Sequence, residues 1–390
     1  MKRALSLLLV ACALVSAAAA DTITPQAAIA RLFTSDRVDP DWFAQSLLQQ
    51  APASQVQSVV DQLKSQLGAY QDVRPEGDHF STVFAKASVP TYITLDSTGR
   101  ITALYFKQPI TTVKDLPGAV NTFRALRGKV GLVIEAGTTV TQAINADEPL
   151  AVGSAFKLAV LAALKKQVEA KRMSWAQIVT IRAGWKSLPT GVLQTWPDGS
   201  PLTLDSAAAL MISQSDNTAA DLALRTVGRS AVEAEAPPRD TPFLTTREAF
   251  QLKDPANAQL LARWRSGDVA ARRAVLETLT SKPLPSIDIF TGRIAAPDVE
   301  WFFSARDLCS LMGKVAALPL MSINPGVADP ARWARVAYKG GSETGVLNLT
   351  TQVVSRSGKT YCVSATWNDS QPVDEKQFEL MYSLLLNNLE

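Results

Sequence analysis

Residues 151–170 read AVGSAFKLAVLAALKKQVEA, and this stretch decides how the rest of the chain is interpreted. Apolar residues at helical spacing begin directly after Ser154 and predict an α-helix. Lys157 follows three positions later, so the two polar side chains share one face of that helix. A hydroxyl and an amine one turn apart, at the apolar end of a helix, suit a serine nucleophile with a lysine as its base.

The first turn of a helix favours developing negative charge, which suits a nucleophile at Ser154. Lys157 can accept a proton only when it is neutral, so its pKa must lie well below the ordinary ~10.4. Burial and a second cation can lower the pKa of a lysine by up to ~3–5. The alternative is that Ser154 only caps the helix and Lys157 is a surface residue, and the two-residue pattern alone favours that alternative.

Two later segments favour a catalytic role for Ser154 and Lys157 over this alternative. Residues 210–217, LMISQSDN, end a helical apolar run with the triplet Ser-Asp-Asn. Residues 335–342, RVAYKGGS, place Lys339 at the end of a predicted strand, followed by Gly340 and Gly341. Glycines at this point let a ligand approach the strand backbone closely.

The combination S-x-x-K, then S-D-N, then K-G-G resembles the class A β-lactamases and penicillin-binding proteins, a superfamily of serine hydrolases. The resemblance spans residues 118–390 and covers both the motif order and the order of strands and helices. Strands at both ends of this region, with helices between them, predict an α+β fold: one antiparallel sheet flanked by helices, plus an inserted helical lobe. The predicted strands are 129–136, 138–144, 335–339, 346–355 and 360–367.

The resemblance implies catalytic roles for four side chains. Ser154 corresponds to the acylated nucleophile and Lys157 to its proton acceptor. Ser215 corresponds to the hydroxyl that passes a proton to the leaving group, and Lys339 to the cation that draws the substrate carboxylate. The alternatives are a helix cap for Ser215 and a solvated strand end for Lys339.

The resemblance also implies substrate-binding positions. Asn217 matches the residue that orients the substrate amide, and Gly341 and Ser342 form the strand edge beside the substrate. The backbone amides of Ser154 and Ser342 fall where the family forms its oxyanion hole. Gly340 departs from the family pattern, which has Thr or Ser there, so a hydroxyl that contacts the substrate carboxylate is missing; Ser342 is a candidate substitute.

A second departure concerns hydrolysis of the acyl-enzyme. Class A enzymes activate the attacking water with a loop glutamate in a Glu-x-x-Leu-Asn context, and no such stretch follows Asn217. Glu248, in residues 245–252, TTREAFQL, is nearest, but it reads as a first-turn helix acid. Slow turnover is therefore expected.

The predicted function is a serine hydrolase acting through an acyl-serine intermediate on β-lactams or on related esters and amides, including peptidoglycan-derived substrates. Two alternatives remain: a penicillin-recognising or cell-wall-binding protein with little or no turnover, and a D-Ala-D-Ala carboxypeptidase. The net charge of +3 over 390 residues gives no electrostatic case for nucleic-acid binding.

His79, the single histidine, lies in the N-terminal part and reads as a surface or hairpin residue. A Ser-His-Asp triad within residues 118–390 is therefore excluded. One histidine and few cysteines also argue against a structural zinc site, and no cofactor is predicted. Cys309 and Cys362 either form a disulfide or are separate buried thiols.

The N-terminus, MKRALSLLLVACALVSAAAA, has the basic, apolar and small-residue regions of a signal peptide over residues 1–20. An exported protein, periplasmic or extracellular, is expected, and no other segment is long enough to span a membrane. A lipid anchor at Cys12 is the less favoured alternative. Residues 21–110, helices followed by a small antiparallel sheet, resemble a cystatin-like α+β domain.

Overall fold

The computed structural model describes residues 23–111, 113 and 115–390. The predicted signal peptide and Cys12 lie outside these residues. The chain divides into two compact units, with the boundary between Thr112 and Val113. Within the described part of the chain, no helix combines the length and the apolar composition that a membrane span needs.

The N-terminal unit has helices first and an antiparallel sheet afterwards. Strands β1 to β4 pair in sequence order, and β5 pairs with β3. His79 opens β2, directly after a hairpin turn, and its ring stacks on Tyr92, so the hairpin prediction for this residue is confirmed. The unit is α+β; its cystatin-like character stays a prediction. The elements are α1 (Pro25–Thr34), α2 (Gln45–Leu48), α3 (Ala53–Leu67), β1 (Tyr70–Glu76), β2 (His79–Phe84), β3 (Ala87–Leu95), β4 (Ile101–Phe106) and β5 (Ile110–Thr111).

The C-terminal unit begins with a helix and two strands, continues through a mostly helical middle, and ends with three long strands and a helix. Its first half contains α4 (Leu116–Arg124), β6 (Lys129–Ala136), β7 (Thr139–Ile144), β8 (Leu150–Ala151), α5 (Lys157–Glu169), β9 (Ile178–Thr180), β10 (Pro201–Thr203), α6 (Leu204–Ser213) and α7 (Asn217–Val227). Its second half contains α8 (Arg229–Glu233), α9 (Thr246–Lys253), α10 (Ala258–Ser266), α11 (Val269–Leu279), β11 (Phe302–Phe303), α12 (Ala305–Val315), β12 (Arg335–Glu343), β13 (Val346–Val354), β14 (Thr360–Asn368) and α13 (Glu375–Asn387).

The main sheet has the order β12-β13-β14-β6-β7, and every neighbouring pair is antiparallel. The predicted sheet from distant segments is thus confirmed. The strand expected to end at Lys339 instead continues to Glu343, with Gly340 paired to Leu349 and Gly341 to Asn348. Backbone pairing needs no side chain, so the two glycines lie within β12, which is an edge strand.

The main sheet has a hydrophobic core on each face. Along β6, Val133 packs into the core on the side of the helical lobe, and Leu132 and Ile134 pack into the core formed with α4 and α13. This alternation is the period-two pattern of a strand buried on both faces. Helix α5 is buried all round over its first two turns, from Lys157 to Leu164, so any polar group there sits in the interior.

A disulfide joins the helical lobe to the sheet. Cys309 on α12 is bonded to Cys362 on β14. Of the two alternatives that the sequence left open, pairing is the one observed.

Candidate active site

Ser154 lies on a short 3₁₀ turn, Gly153–Phe156, which leads directly into α5. The predicted first turn of the α-helix is therefore a 3₁₀ turn in the structure. The Ser154 side chain makes no helix-capping hydrogen bond, so the alternative of a simple cap is wrong. The hydroxyl is left available for other partners.

Lys157 makes four hydrogen bonds within the site. It is completely buried, so the alternative of a surface lysine is wrong. Its Nζ donates to Ser154 Oγ at 3.1 Å, to Ser215 Oγ at 3.1 Å, to Ser215 O at 2.5 Å and to Asn217 Oδ1 at 2.7 Å. The amine therefore bridges the hydroxyls of the first and second motifs.

Burial lowers the pKa of Lys157 well below its ordinary value, and the positive charge of Lys339 lowers it further. Asp216 and Asp221 act in the opposite direction, but more weakly. Desolvation is the dominant cause because an ammonium in the interior loses its hydration. A neutral amine, the form that accepts a proton, is thus accessible to Lys157.

Ser215 lies in the connection between α6 and α7 with a left-handed backbone, φ 54°. This conformation is uncommon outside glycine and is typical of functional sites. The cap of α7 is Asp216, which accepts from Ala219 N at 2.8 Å and also from Val192 N and Leu193 N. The alternative of Ser215 as the helix cap is therefore wrong, and the neighbouring aspartate holds the connection in place.

Lys339 is buried in the middle of β12, so the alternative of a solvated strand end is wrong. Its Nζ donates to Ser215 Oγ at 3.0 Å and to the carbonyl of Gly340. Burial lowers its pKa to about 7. Ser215 Oγ thus lies between two lysines, and the third motif meets the first two in space.

Strand β12 packs against the Ser154 turn with no space between the backbones. A Cβ on Gly341 would overlap Val152 O and Ser154 N, and a Cβ on Gly153 would lie 3.1 Å from Ser342 N. Gly153 also has a positive φ of 49°. These two glycines bring the amides of Ser154 and Ser342 into the same small region, as an oxyanion hole requires.

The space beside Gly340, where the family pattern has a hydroxyl residue, is filled by a different side chain. A Cβ on Gly340 would overlap the hydroxyl of Tyr338. Both residues lie on the same face of β12 because they are two positions apart. The phenol hydroxyl of Tyr338 therefore occupies the space that the Cβ of a threonine or serine at position 340 would take.

Glu248 is occupied with holding helix α9. Its backbone and side chain form a capping box with Thr245, and its carboxylate lies 2.7 Å from Arg229 Nη2. The carboxylate is buried in these contacts, so the first-turn role that the sequence favours is confirmed. The next residue, Ala249, lines the cavity beside Ser154.

Two cavities meet at Ser154. Ser215 and Lys339 line one, and Lys253, Glu300 and Glu343 line the other. Ser154, Thr190 and Ser342 line both. Ser154 therefore has polar side chains on two sides.

The second of these cavities contains charged residues that the sequence analysis did not identify. Lys253 Nζ lies 2.6 Å from Glu300 Oε1 and 2.6 Å from Glu343 Oε1. The partners are 47 and 90 positions away along the chain, and no spacing rule joins them. Only the tertiary structure reveals this cluster.

Asp221 is a second buried acid that the sequence analysis did not identify. It accepts from Thr246 N at 2.6 Å, from Thr246 Oγ1 at 2.8 Å and from Arg247 N at 2.9 Å. Burial raises its pKa to about 6, against the effect of these hydrogen bonds. Asp221, on α7, therefore holds the first turn of α9 in place. Helix α9 in turn forms part of the wall of the cavity.

Comparison with known proteins supports the resemblance over part of the chain. Residues 114–237 match the model of the β-lactamase enzyme family. This range includes Ser154, Lys157, Ser215 and Asn217, and it ends before Lys339. No curated protein matches the chain.

Several solved structures are similar to the chain. A β-lactamase from Sphaerobacter thermophilus DSM 20745 is 23% identical with a TM-score of 0.49, over 70% of this chain and 94% of its own. PBP-A is 17% identical with a TM-score of 0.48, over 70% and 94%. A β-lactamase from Burkholderia phymatum is 15% identical with a TM-score of 0.48, over 70% and 96%.

Proposed function

We propose that this protein is a serine hydrolase that forms an acyl intermediate on Ser154, with β-lactams or related amides and esters as substrates. One observation carries the proposal: the fully buried Nζ of Lys157 is within hydrogen-bond distance of both Ser154 Oγ and Ser215 Oγ. The family match over residues 114–237 supports the same chemistry.

Acylation begins when Ser154 Oγ attacks the substrate carbonyl carbon and gives its proton to the neutral Lys157 Nζ. The amides of Ser154 and Ser342 stabilise the oxyanion; one such donor is worth ~10²–10³ in rate. The tetrahedral intermediate collapses as the bond to the leaving nitrogen or oxygen breaks. Ser215 Oγ gives the leaving atom a proton and takes one from Lys157, which returns to its neutral form.

Lys339 supplies positive charge on the leaving-group side of the site. Its ammonium contacts Ser215 Oγ, so it favours the alkoxide character that Ser215 develops while donating its proton. It also attracts a substrate carboxylate. The proposal therefore favours substrates with an anionic group beyond the scissile bond.

A second candidate is a protein that is acylated but hydrolyses the acyl-enzyme very slowly. Two observations favour it: Glu248 is bound in its capping box and its pair with Arg229, and Ala249, with no carboxylate, faces the cavity beside Ser154. Such a protein would recognise penicillins or cell-wall peptides without efficient turnover.

Intact-mass spectrometry tests the primary proposal. The wild type should gain one adduct of the mass of benzylpenicillin, or of a fluorophosphonate less hydrogen fluoride, and Ser154→Ala should gain none. Absence of any adduct on the wild type with both probes would refute acylation at Ser154.

Steady-state turnover of a chromogenic cephalosporin separates the two candidates. A hydrolase releases many product equivalents per enzyme, whereas a slowly deacylating protein releases one burst equivalent and then stops. Continuous turnover abolished by Ser154→Ala excludes the second candidate.

We also propose that the protein is exported, to the periplasm or beyond, after cleavage behind Ala20. The Cys309–Cys362 disulfide supports this proposal because such bonds persist in oxidising compartments. N-terminal sequencing of the protein from a secreting host should give Asp21 as the first residue. A lipid-modified Cys12 at the N-terminus would show the anchored alternative instead.

A further inference from the structure

The cavity on the Lys253 side of Ser154 has an unusual charge balance. One ammonium, Lys253, faces two carboxyl groups, Glu300 and Glu343. The side chains of Lys253 and Glu300 are each 2% exposed, and that of Glu343 is 23% exposed. The other described residues that line the cavity are uncharged, so the cavity carries one excess negative charge when both carboxyl groups are ionised.

In the free protein a proton compensates for this excess charge. Glu300 Oε2 is buried and has no hydrogen-bond partner among the residues that the structure describes. Burial and the neighbouring Glu300 raise the pKa of Glu343 to about 9, and a hydrogen bond between the two carboxyl groups adds to this shift. Glu343 therefore holds the compensating proton at neutral pH, whereas the pKa of Glu300 is lowered, chiefly by the charge of Lys253.

The uncharged part of the cavity is aromatic. Phe156, Phe250 and Trp301 line it, and the rings of Phe156 and Trp301 are stacked with their centroids 3.8 Å apart. Aromatic faces attract cations and also bury apolar stems. A ligand that satisfies this wall and the two carboxyl groups together has a cationic group on an apolar stem.

In the proposed mechanism, the two cavities hold different parts of the substrate. Ser215 and Lys339, the groups that serve the leaving atom, line the opposite cavity. The Lys253 side is thus left for the acyl part of the substrate, the part that stays on Ser154 after the first step.

We propose that the Lys253–Glu300–Glu343 cavity is a subsite for a cationic group, an ammonium or a guanidinium, on the acyl part of the substrate. The inference rests on the proposed function and narrows its substrate class. The ligand cation takes the place of the proton on Glu343 and pairs with the two carboxylates. A purely structural role, in which the three residues only tie α9 to β12, makes the opposite prediction of no charge preference.

Three penicillins test the subsite because they differ at a single carbon of the acyl side chain. Ampicillin carries an ammonium there, benzylpenicillin a hydrogen and carbenicillin a carboxylate. Binding to the full chain with Ser154→Ala is measured by calorimetry at about pH 6.5, where an α-amino group is mostly protonated. Ampicillin should bind at least about tenfold more tightly than carbenicillin, with benzylpenicillin between them.

Glu343→Gln tests whether the Glu343 carboxylate is responsible for the preference for a cationic side chain. In the background of Ser154→Ala, this change should reduce the preference for ampicillin over carbenicillin to within about threefold. Glu277→Gln, which removes an exposed carboxylate on α11, is the matched control and should leave the preference unchanged. Thermal unfolding verifies that both variants are folded; if Glu343→Gln is not, the order of the three ligands in Ser154→Ala decides alone.

The outcomes separate the subsite from the proposed function. Equal binding of the three penicillins, tighter binding of carbenicillin, or no binding at all overturns the subsite. Acylation of the wild type by all three at equal rates leaves the proposed function standing without the subsite. A clear preference for ampicillin in Ser154→Ala, with no acylation of the wild type, leaves the subsite without the proposed function.

Discussion

Lys157 can act as a base only while its amine is neutral, which gives a test by substitution. A guanidinium stays protonated in proteins and cannot take the proton of Ser154. Lys157→Arg should therefore lower the second-order rate constant of acylation by benzylpenicillin by about 10²–10⁴. Mass spectrometry at timed intervals measures this constant.

Lys166→Arg on the same helix is the matched control, since Lys166 is exposed and pairs with Glu235 at the surface. It should acylate at the wild-type rate. A Lys157→Arg variant that is folded and acylates within tenfold of the wild type would contradict the assignment of the base.

Lys339 provides a pH dependence with a definite sign. Burial lowers its pKa to about 7, so its positive charge is present below about pH 7 and disappears as the pH rises. Lys157 has a pKa well below its ordinary value, and a rising pH only increases the fraction of its amine in the neutral form that accepts a proton. Acylation by benzylpenicillin, which has a carboxylate, should fall at least about fivefold from pH 7 to pH 9.

A fluorophosphonate without a carboxylate is the control for this profile, and its rate should not fall over the same range. Both reactions are measured across the pH range by mass spectrometry of samples that are quenched at timed intervals. A benzylpenicillin rate that stays constant or rises up to pH 9 argues against carboxylate binding by Lys339.

The close contact of strand β12 with the Ser154 turn depends on Gly341. A methyl group at this position would overlap the backbone of the turn, and the two segments would have to move apart. Gly341→Ala should lower the free energy of unfolding by about 1–3 kcal/mol. It should also slow acylation at least about tenfold, because the two oxyanion amides separate.

Gly313→Ala is the control, because Gly313 is exposed within α12 and a Cβ there meets nothing within 4 Å. Alanine at a helix interior is favourable by about 0.5–1 kcal/mol. Urea unfolding and acylation are measured for both variants. A Gly341→Ala variant that matches Gly313→Ala in both would show that the contact is not essential.

The motifs were predictable from sequence because each has a fixed local spacing and lies at the end of an apolar segment. Ser154 with Lys157, residues 215–217, and Lys339 with its glycines were all identified in this way, and the structure brings them together. The strand limits of β6 followed from periodicity for the same reason, whereas the 3₁₀ turn Gly153–Phe156 before α5 did not.

Other features depend on contacts that no local pattern encodes. The left-handed backbone of Ser215 adjoins Asp216, whose carboxylate accepts hydrogen bonds from Val192 N and Leu193 N, about 23 positions earlier in the chain. The cluster of Lys253, Glu300 and Glu343 joins three segments far apart in sequence. The continuation of β12 through Gly340 follows from its pairing with β13, since tertiary pairing overrides the low strand propensity of glycine.

At the scale of the molecule, the Cys309–Cys362 disulfide links the helical lobe to the sheet across a sequence separation of 53 residues. A loop of this length is expected to contribute about 4 kcal/mol through the entropy of the unfolded chain. The double variant Cys309→Ala, Cys362→Ala should therefore lose thermal stability. The loss is measured as the decrease in the midpoint temperature of unfolding, with acylation used to follow the fraction of folded protein.

Both cysteines are buried and lie outside the residues that line the two cavities. The folded double variant should therefore acylate at the wild-type rate. A variant with an unchanged midpoint, measured against the oxidised wild type, would show that the bond adds no stability.

The main sheet places its last strand beside its first, and this sets the order of events in folding. The side-chain amide of Asn368 bonds the backbone of Ala151, 217 positions earlier in the chain. Contacts of such long range form slowly because a large loop must close first. The nascent chain cannot complete this sheet until β14 has left the ribosome, so the C-terminal unit remains without its central sheet during most of synthesis.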